Sequence, residues 1–250
     1  MTDALYEFPL NEKVRTYLRL ESLFKQLFYA KEAQNDWQYM QFFEALFTLI
    51  DLLDRLDIRN DMLKDIELHE KNLVYWSQHP QIDNEALQAT LQQILRLREQ
   101  LKSVKRVASN LKDDRFLGSI RQRFAIPGGT SPCDLPNLHY WLKQPDALKK
   151  QDIKIWLQEL TIINDAICIT LSFLRERGRF TSITAENGFY QGIADDKNEL
   201  IRILSPANCG YFPTLSGNKY RYAIRFTLFQ PDLKGSINVE ESVSFRMACC

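Results

Sequence analysis

The feature that most constrains this chain is a change of hydrophobic period at Gly178. Before it, apolar residues recur every three or four positions, as on a helix with one buried face. Val14, Tyr17, Leu20, Phe24 and Leu27 make one such stripe, and Leu87, Leu91, Ile94, Leu101 and Val104 another. After Gly178 the apolar residues alternate, which is the period of a half-buried strand. Tyr220, Tyr222, Ile224, Phe226 and Leu228 interleave with Arg221, Ala223, Arg225 and Thr227, predicting a strand with a basic outer face. Helices and strands kept apart along a chain mean an α+β fold, not a doubly wound parallel sheet. The expected division is an N-terminal strand over 1–10, a mostly α-helical domain over 11–178, and a smaller antiparallel β domain over 179–250. The first strand, read over 5–8 before Pro9, is expected to join the later sheet.

Local signals place the elements. Asn11 is a cap for a helix reaching Tyr29, with Glu12 in its first turn. Further helices are predicted over 36–55 and 60–78, then from an Asp83 cap, then from an Asp113 or Asp114 cap to Phe124. Residues 126–132 (IPGGTSP) form the densest turn-forming run in the chain. Helices over 138–142, 145–160 and 162–176 follow, the last ending with Gly178 as its C′ residue. Asn187-Gly188 predicts a hairpin between strands over 179–184 and 189–193. Further strands are read over 199–204, 219–229 and 239–248.

The chemistry is sparse. There is no nucleophile elbow, no H-E-x-x-H and no phosphate-binding loop ending in Lys. Gly128-Gly129-Thr130 reads as a turn. His69 reads as a surface residue on a polar helix face, and His79 as one at a helix end. His139 either lines a groove beside the Gly-Pro loop or is a satisfied structural side chain. The five cysteines, with no C-x-x-C pair, give no disulfide framework and no zinc knuckle. Cys168 reads as a small core residue. Cys249-Cys250 is either a redox or metal pair or a strand end with two thiols. No cofactor is expected, and nothing recommends an enzyme. No apolar run is long enough to cross a bilayer, and no signal peptide is read at the start, so a cytoplasmic protein without membrane attachment is expected.

Charge is more informative. Lys plus Arg and Asp plus Glu each number 32, so the net charge is zero. Residues 96–123 nevertheless carry nine basic side chains against three acidic ones. A second basic face is expected at Arg221 and Arg225, and Arg15 and Arg19 lie one helical turn apart. Arginine's fork suits carboxylates and chain termini. Three arginine-bearing elements suit an acidic peptide, a protein surface or nucleic acid, although the zero net charge argues against the last.

Six stretches in order carry a resemblance over nearly the whole chain. They are residues 9–19 (PLNEKVRTYLR), 121–129 (RQRFAIPGG), 134–142 (DLPNLHYWL), 187–191 (NGFYQ), 216–226 (SGNKYRYAIRF) and 248–250 (ACC). Together they resemble the ZapD family of bacterial cell division proteins. The resemblance implies a homodimer, active at the mid-cell division ring, that binds the C-terminal tail of FtsZ and bundles FtsZ filaments. It implies tail-binding residues at Arg19, Arg115 and His139, and a bundling surface at Arg221 and Arg225. Arg121 and Arg123 join as auxiliary basic residues on local charge alone. Two rivals stay open: a nucleic-acid adaptor using residues 96–123, and an enzyme centred on His139 and the Gly-Pro loop.

Overall fold

The computed structural model describes residues 2–55, 57–77, 84–104, 106–195, 197–218, 220–230 and 237–250. Among the sequence readings, His79, the Asp83 cap and Lys105 lie outside these residues. The fold is α+β, with helices first and antiparallel sheets after them. The chain divides into two compact units, one of residues up to Leu18 with Leu171–Cys250, the other Arg19–Thr170.

The strand unit holds two antiparallel sheets among the described residues. Strands β1 (Asp3–Pro9), β4 (Leu200–Pro206), β7 (Val243–Cys249) and β2 (Thr181–Ala185) form one, in the order β1-β4-β7-β2. Strands β3 (Phe189–Ile193), β6 (Arg221–Leu228) and β5 (Tyr211–Gly217) form the other, in the order β3-β6-β5. One cluster of buried residues draws on both sheets, with Ile201, Ile203, Tyr222, Ile224, Phe226, Phe245 and Met247 among its members. The Phe226 and Phe245 rings meet at 5.1 Å between centroids. Burial of each such side chain contributes about 1.5–3 kcal/mol.

As the sequence predicts, the N-terminal strand joins the sheet. Glu7 in β1 lies opposite Arg202 in β4. Its carboxylate accepts from Arg202 Nε at 3.0 Å and from Arg175 Nε and Nη2 at 2.9 and 2.6 Å. All three side chains are largely covered, so each charge has its partner where water is scarce.

The Asn187-Gly188 turn forms, with φ of 52° and 64° as a type I′ turn requires. It does not close a simple hairpin. Beyond a single bridge between Glu186 and Phe189, β2 pairs with β7 and β3 with β6. The turn is held from outside, by Gly188 N donating to Glu241 O and Phe226 N donating to Gly188 O. The two strands therefore part into different sheets. Strand β5 is absent from the sequence reading because Pro213 interrupts it. Proline is tolerated there because β5 is an edge strand.

Helices α1 (Glu12–Tyr29), α2 (Asp36–Arg55), α3 (Ile58–Trp76), α4 (Asn84–Ser103), α5 (Ser109–Asp113), α6 (Arg115–Phe124), α7 (Pro136–Leu142), α8 (Asp146–Gln158) and α9 (Thr161–Arg177) precede β2. Asn11 caps α1, its Oδ1 accepting from Val14 N at 2.8 Å. Asp114 caps α6 in the same way, accepting from Leu117 N at 2.8 Å. Two readings are corrected here. His69 is buried, because it shares the inward stripe of α3 with Met62, Ile66 and Leu73. Cys168 is exposed, because it falls off the stripe of Ile163, Ala166, Ile167 and Leu171 on α9.

Gly178 is also not the left-handed C′ residue expected, since its φ is not positive. It is small for another reason. A Cβ there would lie 2.5 Å from Cys250 Sγ and 2.6 Å from the Cys249 carbonyl oxygen. Cys250 is buried and pairs its backbone with Leu200, while Cys249 Sγ lies 3.6 Å from the Tyr222 hydroxyl. Burial pushes the Cys250 thiol above its usual range, outweighing nearby Arg202. Two outcomes are expected. Gly178→Ala costs about 1–3 kcal/mol of stability, measured by urea unfolding. Under brief alkylation read by mass spectrometry, the exposed Cys133 and Cys168 are modified well before Cys250.

Candidate functional site

The helical unit is organised around α2. Phe43 contacts the rings of Phe116 and Phe124 in α6, Trp141 in α7 and Trp156 in α8, at centroid distances of 5.1–6.1 Å. Tyr39 adds an edge-on contact to Trp141 at 5.4 Å. These rings fix α6 and α7, which carry Arg115 and His139. Asn137 Nδ2 of α7 also donates to Ser119 Oγ of α6 at 2.7 Å.

Arg115 occupies the first position of α6, directly after the Asp114 cap, and is exposed. His139 is exposed in the last turn of α7. Arg19 is exposed on α1. It lines a groove of about 470 Å³ with Ser22, Leu23, Asp51, Leu52 and Arg55, between α1 and α2. Arg115 and His139 thus sit on two helices tied to each other, whereas Arg19 belongs to a different groove. None of the three side chains has an acidic partner within 4 Å among the described residues.

The neighbouring cations differ. Arg121 donates to Asp51 and, at 3.4 Å, to Asp54 of α2. Lys112 pairs with Asp54 as well. Arg123 lies 3.9 Å from Asp134. Arg98 grips Glu70, with Nη1 at 2.6 and 2.5 Å from the two carboxylate oxygens, and Lys102 faces Glu67 at 3.5 Å. Much of the basic excess over 96–123 is therefore answered by acids of α2 and α3, far away in sequence. Arg15 likewise pairs with Glu12.

The Gly-Pro loop is a self-contained turn. Several of its amides bond to its own carbonyls and to the end of α6: Ile126 N donates to Arg123 O, Gly129 N to Ile126 O and Asp134 N to Ser131 O. Gly129 is needed because a Cβ would meet Arg123 O at 2.7 Å. Those three amides are committed within the turn.

In the strand unit, Arg221 and Arg225 are exposed on β6, opposite Ile193 and Phe189 of β3. The Arg225 guanidinium lies over the Phe189 ring at 5.2 Å. Ile193 is 88% exposed, so this face mixes two cations with unsheltered apolar surface.

The family model for ZapD, a cell division protein, matches residues 18–225, a span containing all seven candidate residues. The chain belongs to the ZapD family of cell division proteins. Cell division protein ZapD of Photobacterium profundum is 39% identical over 245 residues, 98% of each chain. Those of Vibrio parahaemolyticus serotype O3:K6 and Shewanella sp. (strain MR-4) are 39% and 40% identical over 250 residues, the full length of both partners. Among the described residues no single helix is long and apolar enough to cross a membrane. What sequence reasoning missed is the pairing of Arg121, since its acidic partners lie about seventy residues earlier.

The Asp51–Arg121–Asp54–Lys112 cluster has a pH signature. Burial alone would raise the Asp54 pKa. Hydrogen bonds and charge from Lys112 and Arg121 outweigh it and hold this carboxyl below the usual carboxylate range. Its contribution is fully present above the ordinary value and is lost as pH falls through the lowered one. Asp54→Asn should cost about 0.2–1 kcal/mol per lost exposed pair at neutral pH. In urea unfolding followed from neutral to strongly acid pH, the gap to the parent chain should close at the acid end. A constant gap would contradict this account.

Proposed function

We propose that the chain is a non-enzymatic division factor that binds the C-terminal tail of FtsZ and, as a homodimer, crosslinks FtsZ filaments at the cytoplasmic mid-cell ring. Tail contacts are assigned to Arg19, Arg115 and His139, with Arg221 and Arg225 as an auxiliary bundling surface. Family membership supports the division role. The observation that carries the tail reading is Arg115.

A cation at the first position of a helix faces the positive end of the backbone dipole, at a cost of about 0.3–1 kcal/mol. Arg115 sits there with no acidic side chain within 4 Å among the described residues, while Lys112 and Arg121 nearby are paired. A local rule broken without an internal gain is the mark of a residue kept for a partner. A protein's C-terminal tail ends in a carboxylate, which the arginine fork binds with two parallel hydrogen bonds. Each contact is weak. A two-fold dimer facing rows of tails on filaments multiplies them by effective concentration.

The nucleic-acid alternative draws less support. Arg98, Lys102, Lys112, Arg121 and Arg123, which made residues 96–123 look like a phosphate-binding stretch, all have acidic neighbours. Arg121 and Arg123 are correspondingly weaker auxiliary candidates than Arg221 and Arg225.

Arg115→Glu separates binding from folding. Glutamate suits a helix N-terminus, so thermal stability should hold or rise by up to about 1 kcal/mol. Co-sedimentation with polymerised FtsZ should nevertheless fall to background, and for the parent chain it should weaken as salt is raised. Undiminished bundling by the variant would remove Arg115 from the site.

A further inference from the structure

The helical unit carries a second cleft of opposite character. Its floor is a set of packed rings. Phe116 stacks on Trp156 at 5.9 Å with planes 5° apart, and Trp141 lies 5.9 Å from Trp156. Its rim is apolar and uncovered: Tyr140 is 70% exposed, Leu148 51% and Ile155 54%. These residues of α6, α7 and α8 line a space of about 660 Å³ together with Asp114 and Asp152.

The two carboxylates set this cleft apart. Asp152 Oδ2 accepts from the Trp141 indole at 2.8 Å, and Asp114 Oδ2 from the Trp156 indole at 3.2 Å. Each indole is thereby locked with its ring in the floor. Neither Asp114 nor Asp152 has a Lys or Arg within 4 Å among the described residues. Asp36, Asp54, Asp134 and Asp146 in the same unit all do. Asp152 Oδ1 also lacks a hydrogen-bond donor among the described residues. Two unneutralised carboxylates in a cleft with the exposed Tyr140 ring form a site for a cation, which is drawn both by the negative charge and by the ring face. Of the natural cations, guanidinium is flat, weakly hydrated and stacks on aromatic faces. The exposed rim on α7 and α8 would stay wet around a small free cation and is covered only by a chain.

We propose that this cleft docks a segment of a partner protein in which an arginine is flanked by large apolar residues. The arginine lies against the exposed Tyr140 ring and pairs with Asp152, and its apolar neighbours cover Leu148 and Ile155. The assignment is independent of the tail reading, which rests on cations, so either stands if the other fails.

The test uses the full chain and an N-acetylated, C-amidated leucine–arginine–phenylalanine tripeptide, with a citrulline-for-arginine version as its neutral match. Indole N–H signals of Trp141 and Trp156 are followed by NMR during titration. Both are expected to shift and saturate with the arginine peptide, and the citrulline peptide should bind about tenfold more weakly. Asp152→Asn keeps an acceptor for the Trp141 indole and should remove most of that difference. Leu148→Asn on the rim should weaken both peptides alike. Unmoved indole signals, or equal affinity for the two peptides in the parent chain, would overturn the proposal.

Discussion

Phe43 holds the helical unit in register. Its ring touches Phe116, Phe124, Trp141 and Trp156, so one side chain of α2 fixes the positions of α6, α7 and α8. Large aromatic residues bury much area while keeping few rotamers, so the positions they set are narrow. Everything of interest on this unit's surface follows from that. Arg115 and His139 project from helices whose inner faces are pinned, and the Trp floor of the acidic cleft is the outer side of the same cluster. Neither needs a loop to place it.

Charge is arranged around this frame in three ways. Some cations are spent on structure, as with Arg121 and Lys112 on Asp54 and Arg98 on Glu70. Others, Arg19, Arg115 and His139, stand outside such pairs among the described residues. Two acids, Asp114 and Asp152, are held by indoles instead of cations. A protein whose formal charges cancel can still present distinct surfaces of either sign, because cancellation is a sum and recognition is local.

The sequence made the longer helices and the fold class legible because each repeats a period, whereas the five-residue α5 is too short to show one. Asn11 and Asp114 act as caps where their residue types suggest, and the strands begin where the period changes. His69 and Cys168 were misread on their own helix stripes, while the other errors share one origin, dependence on contacts distant in sequence. Pro213 hid β5, since only the sheet order reveals it as an edge. Gly188 looked like part of a hairpin, although backbone from residues 226 and 241 decides where its strands go. The exposed cations were visible as residue types, but their freedom from acidic partners was not, because the acids that neutralise their neighbours come from α2 and α3. The acidic cleft was illegible for the same reason: its walls come from three helices, and no short motif spans them.

The pairing of β1 with β4 has a consequence for how the molecule is made. Residues 19–170 lie between the two parts of the strand unit. About 190 residues separate the end of β1 from the start of its partner, an interval of about 10 to 40 s at ~5–20 residues per second of synthesis. For most of that interval Glu7 has neither of its arginines, since Arg175 and Arg202 are made only near or after its end. Sheets closed by such distant pairings form slowly, while helices joined by local contacts form fast. The strand synthesised first is thus among the last to find its neighbour, and the helical unit can fold while it waits.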